Sequence, residues 1–421
     1  MIGGLQVRRV TVRNSPSVVN AVFNVRNFWD GRASRVFNGF NPSGDGAAAP
    51  GALWLRDGVL VREAVRLDNA SLASQATGPA LDNLEMSYQG RTWPKLGKKL
   101  FSLAPLALQR VAADDSVLGS MARIDARGLG GQVTYLGMVR GAFVPELWDS
   151  TQLVDESGAS LAGRFGASES TSEFTQAEYN FSVFWGLALQ AYQATLISAE
   201  SPLDRFLEGD PAALNAQEQE GMRLFQTTGR CTTCHGGAEL TAASFSNQGG
   251  RGNRAFQRTG VRPAAEDLGQ QNGNFKSSGL RNIELSGPYF HNGGQASLEQ
   301  VVDFYVRGGD FQNNAIRTFN VSGAQKASLV AFMKSLTDDR VRFERAPFDH
   351  PELCVSAGHV MAPSGSAAYP RESSERWVEI AVSGAAGLRA PLQSFDELLA
   401  GRGSDGSRSH TLDTACSIPL P

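Results

Sequence analysis

Long apolar runs are missing from this chain. The best candidate, Phe181 to Ile197, is broken by Gln190 and Gln193, so it reads as a buried helix and not as a membrane span. Charge of one sign is missing too. Thirty-nine basic residues are scattered among 42 acidic ones, for a net charge of −3, and nothing in that balance suggests nucleic-acid binding. The start, Met1-Ile-Gly-Gly, has no charged region followed by an apolar stretch, so no secretory leader is visible. Cysteine is scarce. Only four are present in 421 residues, a length that suffices for two or three domains with real cores.

Two of those four cysteines carry the most informative feature, Cys231-Thr-Thr-Cys234-His235. Thiols at this spacing can form thioether bonds to the two vinyl groups of one haem, and the adjoining histidine can bind the iron. The competing reading is half a zinc site completed by Cys354 and His359. The flanks favour haem. Asn215 and Glu218 form a capping box, and Met222 and Phe225 then repeat at helical spacing up to Gly229, so the motif follows a first helix. Covalent haem implies export, yet no leader is visible, so the chain is expected to begin inside a longer protein. Cys354 and Cys416 are left over; in an oxidising compartment they are candidates for one disulfide.

Composition divides the chain into residues 1–200, a haem unit at 201–345, and a tail at 346–421 rich in Pro, Gly, Ser and Arg. The tail is expected to wrap over the body without a core of its own. Gly44 to Gly51 is a Gly/Ala/Pro loop, and Gly128 to Gly166 mixes glycines with short β-branched runs that fit no clear element. Thr175 and Glu178 cap the helix that begins near Phe181. In the haem unit, Ser297 and Gln300 start a helix whose Leu298, Val301, Val302 and Tyr305 share one face, ended by Gly308 and Gly309. Ser322 and Gln325 start another, with a stripe of Leu329, Phe332, Met333 and Leu336. His235 is the expected fifth iron ligand. The residues leave the sixth open among Tyr305 on the inward helix face, His291 before Asn-Gly, and Met333, whose place in a stripe fits core packing.

Seven segments together resemble the bacterial di-haem cytochrome c peroxidase superfamily, which includes the enzyme that matures methylamine dehydrogenase. They are Arg13-Asn-Ser-Pro-Ser-Val-Val-Asn20, Phe28-Trp-Asp-Gly-Arg-Ala33, Gln75-Ala-Thr-Gly-Pro79, Asn83-Leu-Glu-Met86, the CxxCH, Leu280-Arg-Asn282 and Pro288-Tyr-Phe-His291. The resemblance covers most of residues 10–345. It implies an all-α fold of two cytochrome-c-like helical domains, the first holding a peroxidatic haem and the second an electron-transfer haem. The CxxCH then belongs to the electron-transfer haem, and the family's sixth ligand to it falls on Tyr305. Trp29 matches the tryptophan between the haems, Glu85 the acid/base carboxylate over the peroxidatic haem, and Gln75 the amide beside it. Asn14, Ser286 and Pro288 match ligands of an interdomain calcium ion.

The implied activity is reduction of hydrogen peroxide to water in the periplasm, with electrons from a small cytochrome or copper protein. High-valent di-haem oxidation of a protein or organic substrate is the alternative, and a single-haem electron carrier a third reading. A homodimer is also a family trait. One departure is large. The first-domain haem motif should lie upstream of Arg13, where only twelve residues remain, so the first domain is expected to be incomplete, truncated at its start. Residues 34–73 and the tail exceed the family pattern.

Overall fold

Asp57 and Gly58 both have positive φ, 48° and 79°. That is the backbone of a tight two-residue hairpin turn, and it folds β1 (Ala52–Arg56) back onto β2 (Val59–Glu63). The computed structural model describes residues 11–123, 126–247, 255–361 and 373–400, without the side chains of 356–361 and 373–378. Three further antiparallel pairs follow: β3 (Gln152–Val154) with β4 (Ser160–Phe165), β5 (Phe256–Gln257) with β6 (Phe275–Lys276), and β7 (Leu353–Met361) with β8 (Ser373–Ile380).

The expectation of an all-α fold is therefore corrected. The described residues are mixed, with eleven α-helices, 30% helix and 12% strand, and several small sheets. The physical reason is local. One pair forms in the 34–73 segment around an Asp-Gly turn, one in the unplaced Gly128–Gly166 stretch, and one in the tail. Each is an antiparallel pair of segments close in sequence, bonded strand to strand without the helical core.

The chain divides into two compact units. The larger contains Arg13–Leu103 and Thr134–Asp338; the smaller gathers Ala104–Val133 with the described residues from Asp339 onward. Within the smaller unit lie α10 (Asp339–Arg342), the β7–β8 pair and α11 (Phe395–Leu399). Glu352, buried, pairs with Arg127 and accepts from the Arg110 N–H at 3.1 Å. Asp349 accepts from the Ser116 N–H and hydroxyl at 2.6 and 2.7 Å. Tail and 104–133 segment thus fold as one body, not as a tail alone. Cys354 is disulfide-bonded, and the Cys416 expected to pair with it lies outside the described residues.

Among its described residues the larger unit has two large apolar cores and two small clusters. In one, α2 (Trp93–Phe101) packs on α4 (Gln176–Tyr179) and α5 (Phe181–Gln193), with α1 (Ser71–Ala76) and α3 (Tyr135–Ala142) beside them. Thr175 and Glu178 form the expected capping box, but the helix breaks at Asn180 before α5 begins. In the other, α6 (Pro202–Leu207), α7 (Ala216–Gln226), α8 (Leu298–Arg307) and α9 (Gly323–Lys334) enclose Leu224, Phe225, Val302, Leu329 and Phe332. Capping boxes start α7 at Asn215 and α9 at Ser322; Ser297 caps α8 through the Gln300 N–H. Helices α7 and α9 cross at Gly221, where a Cβ would stand 1.9 Å from the Ser328 carbonyl. Only glycine allows that approach.

Candidate haem site

The CxxCH follows α7 on a short turn. Arg230, with φ 49°, reverses the chain, and the N–H groups of Cys234 and His235 both donate to the Cys231 carbonyl, at 3.1 and 2.8 Å. Both cysteines and the histidine therefore project from one turn. Neither Cys231 nor Cys234 is in a disulfide, and burial pushes the Cys231 thiol up to about 12. His235 Nδ1–H donates to the Ser278 carbonyl at 3.0 Å, which fixes the ring and leaves Nε2 for a metal. Burial also lowers its proton affinity, so the imidazole stays neutral, as a ligand must.

This motif forms part of the wall of a cavity of about 730 Å³, a size proper to a cofactor site. Tyr305, Trp29, His291, Met333 and the three calcium candidates Asn14, Ser286 and Pro288 line the same space. The donor set fits a covalent haem: two thiols, an oriented imidazole, and a cavity with apolar walls from Leu280, Val302 and Leu329. It does not fit zinc. Cys354 is spent on a disulfide, the side chain of His359 is outside the description, and no group of three His, Cys, Asp or Glu among the described residues could hold a metal.

The three sixth-ligand candidates differ in how free they are. Tyr305 sits on α8 against Phe290 and Phe304, at 6.3 and 5.4 Å between ring centroids. Its hydroxyl makes no hydrogen bond among the described residues, and burial, with the two thiols, raises its pKa. His291 is committed elsewhere. Its Nε2 meets Asp267 Oδ2 at 2.7 Å, its ring stacks on Phe275 at 3.6 Å, and it is 4% exposed. Met333 belongs to the α7–α9 core as well as to the cavity wall.

Trp29 is held from both sides. Its Nε1–H donates to the Asn14 carbonyl at 2.8 Å, and its own carbonyl accepts from the Lys276 N–H at 2.7 Å. Asn14 Nδ2 reaches the Pro288 carbonyl at 2.6 Å, so an amide and a carbonyl stand side by side. An amide turned over would offer two neutral oxygens at one point, donors that suit a hard cation retaining water.

Residues 2–111 match the family described as di-haem cytochrome c peroxidase. A cytochrome-c peroxidase, IdrP2, of Denitromonas iodatirespirans is 32% identical over 35% of this chain and 47% of its own length. The cytochrome c551 peroxidase of Nitrosomonas europaea is 38% identical over 37% of this chain and 45% of its own length. The methylamine utilization protein MauG of Methylorubrum extorquens is 33% identical over 35% of this chain and 42% of its own length. Over part of its length the chain is similar to di-haem cytochrome c peroxidases. The superfamily resemblance read from the residues is thus supported, although each match spans less than half of the relative's own length.

Two residues that the di-haem peroxidase resemblance singles out, Gln75 and Glu85, do not line the haem cavity. Gln75 ends α1 with its Oε1 buried and accepting no hydrogen bond. Glu85 lies 3.8 Å from Arg32. Burial and the charge of Asp82 raise its pKa, and Arg32 opposes them. Arg32 also covers the Phe28 ring at 3.8 Å, and Phe28 approaches Gly78, next to the Gln75 turn. The Phe28–Trp29 pair therefore faces two ways: Phe28 toward the Gln75–Glu85 region, Trp29 toward the haem cavity. Sequence reasoning missed Lys276, Phe275 and Asp267, which have no periodicity or motif to mark them.

Proposed function

We propose that this protein is a haem-c oxidoreductase of the peroxidase type, with its haem on Cys231, Cys234 and His235. The observation that carries the proposal is one cavity shared by the CxxCH turn, the unpartnered Tyr305 hydroxyl and Trp29. Bound there, haem iron supplies one-electron exchange. The chain's residues do the rest. His235, oriented by Ser278, would hold the iron, and Tyr305 on the same cavity wall would offer its oxygen, a ligand that favours oxidised iron. Trp29, clamped by Asn14 and Lys276, is positioned to relay charge between the cavity and the Phe28 side.

On that side, where the resemblance implies the peroxidatic haem, Glu85 would move the proton that peroxide cleavage requires; burial and Asp82 raise its pKa above the ordinary carboxyl value, which favours a group that can give a proton as well as take one. The Gln75 amide oxygen would position the substrate. Asn14 and Pro288, with Ser286 on the same wall, would hold calcium and stiffen the Trp29 clamp. The reductant would be a small cytochrome or cupredoxin, the place of action the periplasm, and the physiological form a homodimer. No helix among the described residues is long and apolar enough to cross a membrane.

The test is peroxide-dependent oxidation of a reduced small cytochrome by the chain matured with haem. Turnover is expected, and Glu85→Gln should lower it by about 10²- to 10⁴-fold at unchanged haem content. A haem-loaded chain without turnover would fit an electron carrier, or a reaction that needs the peroxidatic haem the resemblance implies. Oxidation of an organic or protein substrate with no reduced cytochrome present would support the second enzymatic reading, which the Tyr305 hydroxyl favours.

A further inference from the structure

Lys276 is the anomaly in the cavity wall. It lies on β6 and is only 7% exposed, yet it lines the haem cavity. An ammonium has three N–H donors. Here a single long contact is made, to Asn27 Oδ1 at 3.4 Å, and that oxygen already accepts from Asn24 Nδ2 at 3.1 Å. The nearest acid is engaged. Asp30 pairs with Arg13 and Arg32, both at 3.1 Å. Burial pushes the Lys276 ammonium down to about 8, against the pull of Asp30.

A buried cation without an anion is costly. The other cations at this wall have no such need. Arg281 holds Asp204 in a two-bond fork, 2.7 Å each, while Arg230 and Arg317 are exposed. Haem brings two propionate carboxylates into the cavity, and one of them is the anion that Lys276 lacks.

We propose that Lys276 receives a haem propionate and so ties the haem's anionic edge to the loop that carries Trp29. The tie is mechanical as well as electrostatic, because the backbone N–H of the same residue holds the Trp29 carbonyl at 2.7 Å. Haem seating, through the side chain, and relay position, through the backbone N–H, are thereby set by one residue. This rests on the covalent-haem reading above.

The test uses the full matured chain with Lys276→Met and Lys276→Arg. Covalent haem is first counted by pyridine haemochrome; a wild-type chain without it overturns both readings. With haem present, Lys276→Met should lower the midpoint potential, because a neighbouring positive charge disfavours ferric iron. It should also shift the propionate bending band in resonance Raman spectra, whereas Lys276→Arg should keep the potential near wild type and still move that band. A loaded Lys276→Met chain with unchanged potential and band would overturn the propionate contact and leave the haem reading standing. If Lys276→Met does not fold, an unmoved band in Lys276→Arg overturns it.

Discussion

At the residue scale, the side chains that share one cavity were largely legible. A CxxCH declares itself by spacing alone, and the resemblance named Trp29, Asn14, Ser286, Pro288 and Tyr305, all of which line the same cavity as the motif. Lys276 was illegible because one lysine between a phenylalanine and a serine carries no pattern; only burial gives it meaning. His291 shows the opposite lesson. The sequence left it as an iron ligand candidate, and the structure ties its ring to Asp267 and Phe275. For Tyr305 the energetics are opposed. Burial holds the phenol protonated, and the positive charge of ferric iron is what would offset that cost. Tyr305→Phe should therefore change the ferric absorption spectrum of the haem-loaded chain, and an unchanged spectrum would reject Tyr305 as a ligand.

At the element scale, caps were readable and strands were not. Asn215, Ser322 and Thr175 each begin a helix as their spacing to Glu or Gln implies, because a capping box is a local interaction. The hairpins arose in the segments treated as insertions. Asp57-Gly58 is a turn signal for β1 and β2, one that the family picture of helical domains leaves unused. The close crossing of α7 and α9 could not be read either, since Gly221 inside a helix looks like a weak position until its neighbour is known. Gly221→Ala should destabilise the larger unit by about 1–3 kcal/mol through overpacking against Ser328. Chemical denaturation of the matured chain measures this, and an unchanged midpoint would mean that the crossing yields without cost.

At the scale of the whole molecule, the two large cores of the larger unit would let one chain bring the proposed haem and proton chemistry together. The α6–α9 core presents the CxxCH, the α1–α5 core carries the Gln75 turn, and the loop with Phe28 and Trp29 has one aromatic toward each side. The tail was expected to lack a core, and its place beside Ala104–Val133 was hidden because the two segments are remote in sequence. All of this turns on one bond set. Intact mass and pyridine haemochrome of the chain matured in a periplasm should give one covalent haem per chain, lost when both Cys231→Ser and Cys234→Ser are introduced. A chain that stays free of haem, while a control cytochrome is matured beside it, would contradict the haem site and the oxidoreductase function with it.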